Sequence, residues 1–542
     1  MNHRKNIFLA LFSGLLLGLP WYATGLFWLV FIGWLPLLLL EENLKHHPNR
    51  YIVFNFAFAS FLMWNILGTW WITQVQFLGA ILIIIANSLL QALVFWLASR
   101  MRAILRAPLL FPFLFIWMGY EHLHLSWDLA WPWLNLGNAL VSVPEYIQWY
   151  EYTGVRGGTL WILLSNVAFL KVYDTYREKG PRVTVWVGAA TLMLLLVPIF
   201  GSYLIFQKFE VPDETVDIVL IQPNLDPYTE KFDPQKNAQH VEAFFRMAEA
   251  VVDDETQYLF GPETLILDQM DEKDPSTSIY YRKLLKFRKQ YPNLNILIGI
   301  HSYQTLSGDD IPPGSRFNRE KNIYYEPFNT ALFLPAGSNP VPQFYHKTKL
   351  VPLFERMPFV QYLGFLGKYS LELGGYNGTY SLRQESTRFV LPDASVVILP
   401  IVCFESIFGP YCSRNLPEEK GFMCMITNDG WWKNSPGYRH HFNFSPVRAI
   451  ENRRDFVRVA NTGISAIINA RGMVVAKTPW WEKTTLKGRL HLRRGQTFFA
   501  RHGDYLGRMS MVFGACLILY GGYRKLKKEY FNTEEMGKQN NE

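Results

Sequence analysis

Charged residues are scarce in this 542-residue sequence, and the scarcity is concentrated in its first part. Asp, Glu, Lys and Arg make up only 18% of the chain, whereas hydrophobic residues make up 49%. None of these four charged types occurs between Tyr51 and Ser99. A deficit of this kind is consistent with membrane-spanning helices.

Cysteine is also rare, and four residues in a chain of this length do not form a disulfide framework. Cys412 and Cys424 could pair outside the cytoplasm, although we expect both to be unpaired thiols. His440 and His441 are adjacent in sequence, and no third ligand is apparent, so we predict no metal site. We predict no cofactor either.

The net charge of +8 raises the question of nucleic-acid binding. However, the basic residues of the first part lie in short loops between apolar runs. This distribution is typical of membrane topology and not of a phosphate-binding surface. We therefore predict the lipid bilayer, and no nucleic acid, as a partner.

The apolar runs predict about eight membrane-spanning helices, because a bilayer core of about 30 Å needs roughly 20 apolar residues per helix. Ile7–Leu40 is predicted to be a helical hairpin that turns near Pro20, and 51–99 to be two helices that turn near ITQVQ. The other predicted spans are 107–120, 150–170, 183–206 and 509–523.

These spans divide the chain into four predicted regions. Residues 1–206 form a membrane domain of seven helices, and residues 207–500 form a catalytic domain outside the cytoplasm. Residues 501–523 form a closing transmembrane helix, and residues 524–542 form a polar cytoplasmic tail that we expect to be mobile.

The basic residues predict the orientation of these helices, because Lys and Arg favour cytoplasmic loops. Five basic clusters fall on one side of the predicted topology: Arg4 and Lys5; Lys45 and Arg50; Arg100, Arg102 and Arg106; Lys171, Arg177, Lys179 and Arg182; and Arg524, Lys525, Lys527 and Lys528. Both termini are therefore predicted to be cytoplasmic. Arg156, near the start of the sixth predicted span, does not fit this pattern.

Residues 207–500 have the charge density of a soluble domain, and their hydrophobic periodicity differs from that of the apolar runs in residues 1–206. Short β-branched runs such as VDIVLIQPN, NILIGIHSY, SVVILPIVC and GFMCMITND end in turn residues. Helical stretches are predicted between some of them, at 237–252, 278–290 and 447–454. This alternation predicts a layered α/β domain, with its functional residues at strand ends and in the loops that follow.

Three of these strand ends carry reactive side chains. Glu263 lies in LFGPETLI, Lys347 in FYHKTKLVPLFERMPF and Cys403 in PIVCFES. Taken singly, each has an ordinary interpretation: a solvated carboxylate, a surface lysine beside Lys349, and a small buried hydrophobe. The order Glu, Lys, Cys, with each residue at its own strand end, is what indicates nucleophilic catalysis.

This order resembles the Glu-Lys-Cys triad of the nitrilase, or carbon–nitrogen hydrolase, superfamily, which folds as an α-β-β-α sandwich. The resemblance covers roughly 214–500. With the predicted spans added, the chain is similar to the apolipoprotein N-acyltransferase family. YHKTKLVPLFERMPF, ITNDGWW, VANTGISAII and PWLNLGN each resemble a segment of that family. Gly261 and Phe354 depart from its pattern, where Trp and Gly are usual, and we expect both to reshape the pocket.

The resemblance implies an enzyme of the bacterial inner membrane, acting as a monomer with its catalytic domain on the periplasmic side. It implies that a fatty acyl chain passes from a phospholipid, through a thioester on Cys403, to an amine. That amine is the N-terminal amine of diacylglyceryl-cysteine in an apolipoprotein, and the step is the last in lipoprotein maturation. Glu263 would be the general base, with Lys347 and the backbone N–H of Phe404 as oxyanion donors.

Other residues have supporting roles under this resemblance. Glu355 and Glu405 match positions that would orient Lys347 or hold the loop of Cys403, and structural salt bridges are the alternative interpretation. Trp431 and Trp133 would contact acyl chains, although aromatic residues are also common at membrane interfaces without such a role.

Two other functions remain open from the sequence. A membrane-tethered nitrilase-type amidase would use the same triad with water, but a single tethering helix would be enough for it. A transporter with an extracytoplasmic ligand-binding domain would be expected to carry ionisable residues inside its spans. The first four predicted spans contain none.

Overall fold

The computed structural model describes residues 3–45, 47–306, 311, 315–319, 322–338, 340–352, 354–355, 359, 380–381 and 388–539. Leu353 and residues 356–358, which belong to the YHKTKLVPLFERMPF segment, lie outside the described residues, as does the end of the predicted tail at 540–542. The chain forms two compact units. One is helical and comprises residues 1–205 and 504–542, and the other is an α/β unit of residues 206–503.

The helical unit has a helix at the position of each predicted span. The helices are His3–Tyr22, Thr24–Leu44, Ile52–Gln74, Phe77–Leu105, Leu110–Leu123, Val155–Lys179, Pro181–Gln207 and Tyr505–Gln539. Within the described residues, six of them are long and apolar enough to cross a membrane, whereas Leu110–Leu123 has only 14 residues and Tyr505–Gln539 is also outside the six. Several apolar helices are thus confirmed, and the count of eight spans stays a prediction.

Two local predictions in this unit concern where helices end. The first helix ends at Tyr22 and the extended residue Ala23 follows, so the chain turns within PWYATG, near Pro20, as predicted. Pro20 itself is buried inside the first helix, two residues before its end, where a proline removes one backbone hydrogen bond. From Arg524 the chain continues the last helix to Gln539, and the mobility of this segment stays a prediction.

Arg156, the residue that did not fit the charge pattern, is buried in the helical unit at 4% exposure. Its guanidinium pairs with the Glu121 carboxylate, and its Nη2 lies 3.1 Å from Asp504 Oδ2. Thr159 donates a further hydrogen bond to Glu121 over 2.8 Å. Arg156 is therefore a compensated internal charge and gives no information on orientation.

The α/β unit contains two sheets. Among the described residues, the first sheet consists of β1 (Thr215–Gln222), β2 (Tyr258–Phe260), β3 (Ile266–Asp271), β4 (Asn295–Leu306), β5 (Arg316–Asn318), β6 (Ile323–Leu334), β7 (Gln343–His346) and β14 (Thr484–His491). Its order is β14-β1-β2-β4-β6-β5, with β3 beside β4 and β7 beside β6. Strands β1, β2 and β4 are parallel, and β14 runs antiparallel to β1 with Thr215 opposite His491.

The second sheet consists of β8 (Phe389–Val390), β9 (Val397–Val402), β10 (Gly421–Thr427), β11 (Phe456–Ala460), β12 (Ala466–Ile468) and β13 (Val474–Lys477). Its order follows the sequence, from β13 at one edge to β8 at the other. The central strands β9, β10 and β11 are parallel. Both sheets therefore have a parallel centre, which requires apolar cover on both faces.

The sheets pack face to face, and helices cover their outer faces. Side chains such as Phe260 and Ile426 form the core between the sheets. Helices Asn237–Glu249 and Ile279–Gln290 cover the first sheet, and Gly437–Asn452 covers the second. The predicted α-β-β-α sandwich is confirmed.

The helix on the second sheet begins at Gly437, earlier than the predicted start at Val447. It contains Pro446, and local propensity would end or kink a helix there. Nearly all of its residues are buried, including His441 and Phe444. Tertiary packing thus stabilises a helix that the local sequence does not favour.

Candidate active site

Glu263, Lys347 and Cys403 each follow a strand, and the sandwich brings them into one site. Glu263 lies in the turn after β2, Lys347 directly follows β7, and Cys403 directly follows β9 of the other sheet. Lys347 Nζ is 3.1 Å from Glu263 Oε1. The pKa of the Cys403 thiol responds to both of these charges.

Lys347 is held between two carboxylates. Besides Glu263, its ammonium contacts Glu355 Oε1 at 2.7 Å. Burial lowers the pKa of Lys347, but Glu263 and Glu355 together raise it well above its usual value. Glu355 also accepts the backbone N–H of Val351 over 2.8 Å, so it fixes the loop that follows Lys347. Lys347 is therefore a permanent, oriented positive charge.

Glu263 is buried at 5% exposure and accepts a hydrogen bond from Asn329 Nδ2 over 2.8 Å. Burial raises the pKa of Glu263, but the charges of Lys347 and Lys231 outweigh this effect and hold the pKa below its usual value. Glu263 is accordingly ionised, as a proton acceptor must be, and Asn329 and Lys347 hold its carboxylate in place. Asn329 lies within β6, and nothing in its local sequence indicated this contact.

Cys403 has a backbone φ of +50°, in the left-handed region that a side chain other than glycine rarely adopts. Hydrogen bonds to its carbonyl oxygen hold this conformation, from Ser406 Oγ over 2.9 Å and His441 Nε2 over 3.1 Å. His441 Nδ1 lies 2.9 Å from Asp429 Oδ1, and Arg458 bonds Asp429 Oδ2 over 2.8 Å. Cys403 thus lies on a sharp turn next to a buried polar network.

The Cys403 thiol needs a base before it can react. Burial raises its pKa, the Glu263 carboxylate raises it further, and Lys347 together with a hydrogen bond from Thr427 lowers it. Since the thiolate is the nucleophilic form, Glu263 is suited to remove the proton. Phe404, whose N–H follows Cys403, is buried at 4% exposure and packs against Phe408.

Glu405 joins the two loops that carry Lys347 and Cys403. One of its carboxylate oxygens accepts the N–H of Thr348 over 2.7 Å. The other accepts the N–H of Val402 over 2.8 Å and the hydroxyl of Tyr345 over 2.8 Å. Glu405 therefore acts as a brace between the strand ends.

A second lysine reaches this site and was missed from the sequence. Lys231 Nζ donates to the backbone oxygen of Glu263 over 2.7 Å. Its neighbour Phe232 stacks on Trp431 with ring centres 5.5 Å apart, and the Tyr228 hydroxyl donates to the Trp431 backbone oxygen over 2.7 Å. Lys231 lies in YTEKFDP, a polar stretch that resembles a solvated loop and has no apolar periodicity to indicate burial.

The two tryptophans have different surroundings. Trp431 is half-buried beside Phe232 in the α/β unit. Trp133 belongs to the helical unit, where it is 4% exposed and meets Trp71 edge-on at 4.8 Å. Contact of either ring with an acyl chain stays a prediction.

Two further expectations concern packing. A Cβ at Gly261 would lie 2.8 Å from Ile298 and 2.9 Å from Phe244, in the core between the first sheet and its helices. The open side of Gly261 therefore faces that core, and an effect of this residue on the shape of the pocket stays a prediction. Cys412 and Cys424 are free and buried, the first on the outer face of the second sheet and the second between the sheets.

A buried Glu, Lys and Cys at the strand ends of an α-β-β-α sandwich are the features of a carbon–nitrogen hydrolase, and the family model of that name matches residues 219–498. The model of the apolipoprotein N-acyltransferase N-terminal domain matches residues 13–168. The chain belongs to the carbon–nitrogen hydrolase family and, within it, to the apolipoprotein N-acyltransferases.

Similar proteins cover almost the whole chain. The apolipoprotein N-acyltransferase of Chlorobaculum tepidum is 28% identical over 538 residues, covering 96% of this chain and 97% of the relative. That of Geobacter metallireducens is 26% identical and covers 96% of each. Among solved structures, an amidase of the nitrilase superfamily from Nesterenkonia matches with 13% identity and a TM-score of 0.33, covering 56% of this chain and 99% of that chain.

Proposed function

We propose that this membrane protein N-acylates lipoproteins in two half-reactions and carries the acyl group on Cys403 between them. The proposed donor is a phospholipid, and the proposed acceptor is the N-terminal amine of diacylglyceryl-cysteine in an apolipoprotein. The observation that carries the proposal is the buried contact of Lys347 with Glu263 beside the strained nucleophile Cys403. The apolar helices and the names of the full-length relatives support lipid and lipoprotein substrates.

In the first half-reaction, Glu263 takes the proton of the Cys403 thiol, and the thiolate attacks the ester carbonyl carbon of the phospholipid. The Lys347 ammonium and the Phe404 N–H stabilise the oxyanion, and the loss of one such donor typically costs ~10²–10³ in turnover. The carbon–oxygen bond then breaks. Glu263 returns its proton to the leaving oxygen, so lysophospholipid departs and a thioester remains on Cys403.

In the second half-reaction, the acceptor amine attacks the thioester carbonyl carbon. Glu263 takes a proton from the amine and passes it to the departing thiolate, which restores the Cys403 thiol. An amide replaces a thioester, and this change runs downhill. The 8% exposure of Cys403 favours an intermediate that is protected from water.

The two alternative functions are weaker. An amidase would use the same triad but has no need for a helical unit with six apolar helices among its described residues. A transporter has no need for a strained cysteine beside a buried Glu–Lys pair. Acyl transfer is the function that uses both units.

The decisive experiment looks for the acyl group in the absence of an acceptor. Purified protein incubated with phospholipid alone should gain the mass of one fatty acyl chain on Cys403, because a two-step enzyme can stop after the first step. Neutral hydroxylamine should release that chain, since it cleaves thioesters and not amides. Mass spectrometry of the intact protein and of the Cys403 peptide measures both changes.

Acceptors separate transfer from hydrolysis. A diacylated lipopeptide with a free N-terminal amine should remove the chain from the enzyme, and its N-acetylated counterpart should leave it in place. Rapid loss of the adduct to water would favour the amidase. Release of lysophospholipid only when the amine is present, with no adduct at any time, would instead indicate direct transfer.

We also propose that the enzyme acts as a monomer in the inner membrane, with residues 207–500 on the periplasmic side. In a chain lacking the Cys403 and Cys516 thiols, Lys283→Cys should react with an impermeant maleimide added to intact spheroplasts. Lys283 is exposed on the α/β unit. Arg177→Cys, at an exposed position in a predicted cytoplasmic loop, should react only after lysis. The reverse pattern would overturn the topology.

A further inference from the structure

Lys231 is a second active-site lysine that the mechanism above does not use. It is 2% exposed, and its Nζ donates to the backbone oxygen of Glu263 over 2.7 Å. A buried ammonium is costly unless it is paired and hydrogen-bonded. Because this lysine is hydrogen-bonded to the backbone of the proposed general base, a role in the site would explain its burial.

The charge balance of the site points to that role. The carboxylates of Glu263 and Glu355 face the single ammonium of Lys347. Lys231 adds a second positive charge, so that two ammonium groups balance two carboxylates. The free-energy cost of the negative charge that Glu263 and Cys403 carry between them is then lower.

Several titratable groups surround Lys231 and act on its pKa in opposite directions. Burial lowers the pKa of Lys231 to about 7; Glu263 and Cys403 oppose this shift, and Lys347 adds to it. Its positive charge in turn helps to hold the pKa of Glu263 below its usual value. The charged or titratable groups near Lys231 are Glu263, Cys403, Lys347, His301 and His240.

We propose that Lys231 is a positioning residue that fixes Glu263 through its carbonyl oxygen and, as the second cation of the site, keeps Glu263 ionised and Cys403 reactive. The proposal rests on the proposed function in assigning Glu263 as the base. It adds a residue that acts through Glu263.

Alkylation of Cys403 by iodoacetamide tests the proposal without any lipid. The full chain in detergent is treated between pH 4 and pH 8, and mass spectrometry gives the rate for the Cys403 peptide. Removing a cation raises the pKa of Glu263, so its carboxylate is lost at a higher pH and the acid limb of the profile moves upward. An opposite charge nearby typically shifts a carboxyl pKa by about 1–3 units, and we expect a shift of about that size.

Three variants separate charge from hydrogen bonding. Lys231→Arg keeps both and should retain the acid limb of the wild-type profile. Lys231→Gln keeps a donor for the Glu263 carbonyl but loses the charge, and it should move the acid limb upward by about 1–3 pH units, which slows Cys403 alkylation at least about tenfold at a given pH on that limb. Lys231→Met loses both and should be at least as impaired. Lys231→Gln with the wild-type profile would overturn the electrostatic role.

Internal controls distinguish this outcome from misfolding. Cys412 and Cys424 are buried thiols of the α/β unit, and both should stay protected from iodoacetamide in every folded variant. Lys283→Met removes an exposed lysine that pairs with Glu242 and should leave the Cys403 profile unchanged. If Lys231→Met does not fold, Lys231→Gln decides. Because no phospholipid is present, the proposal for Lys231 can fail while the acyl-transfer function holds, and the reverse is also true.

Discussion

Cys403→Ala is expected to abolish acyl transfer and to leave the α/β unit folded. The variant removes one sulfur atom from the core between the sheets, where Cys403 is 8% exposed, and keeps a Cβ at the strained φ of +50°. Without a nucleophile no thioester can form, and loss of a nucleophile of this kind typically lowers turnover by ~10⁴ or more. The measurement is transfer of a labelled acyl chain from phospholipid to a lipopeptide amine.

Cys424→Ala is the matched control for this experiment. Cys424 lies in the same inter-sheet core and is buried, so the same substitution removes the same atom from the same core. It should retain transfer, and Cys403→Ser should be nearly as inactive as Cys403→Ala because a hydroxyl needs a much stronger base. Retained transfer in Cys403→Ala would show that the nucleophile lies elsewhere.

Glu263→Gln is expected to fail before acylation, so that no adduct forms with phospholipid alone. Glutamine keeps the shape and can still meet the Asn329 side chain and Lys347, but it cannot accept the thiol proton. General-base catalysis is typically worth ~10²–10⁴ in rate, and we expect a loss in this range. The measurement is the rate of adduct formation on Cys403 by mass spectrometry.

An exposed carboxylate provides the comparison for this variant. Glu242 lies on a helix of the same unit and pairs with Lys283 at the surface. Glu242→Gln should therefore form the adduct at the wild-type rate. If Glu263→Gln acylates normally and is slow only when the amine is added, Glu263 would be a base for the second half-reaction alone.

Local patterns in the sequence determined the places of the apolar helices, the alternation of strands with helices and the three strand ends that carry Glu263, Lys347 and Cys403. Apolar residues that recur with the period of a helix or strand identify these elements, and the three site residues directly follow such segments. Both can be recognised from the local sequence alone. The resemblance of the quoted motifs to a known family predicted the α-β-β-α sandwich, and the structure confirms it.

Only the tertiary structure decided how the strand ends meet. Lys231 follows β1 and looks like part of a solvated loop, yet it lies behind Glu263, which follows β2. His441 was considered only as a metal ligand, and it instead holds the Cys403 carbonyl from a helix on the outer face of the sheet. Glu405 braces Thr348, which lies more than 50 residues earlier in the chain. Such contacts depend on which elements become neighbours in space and on how much water is excluded between them. No local pattern in the sequence indicates either property.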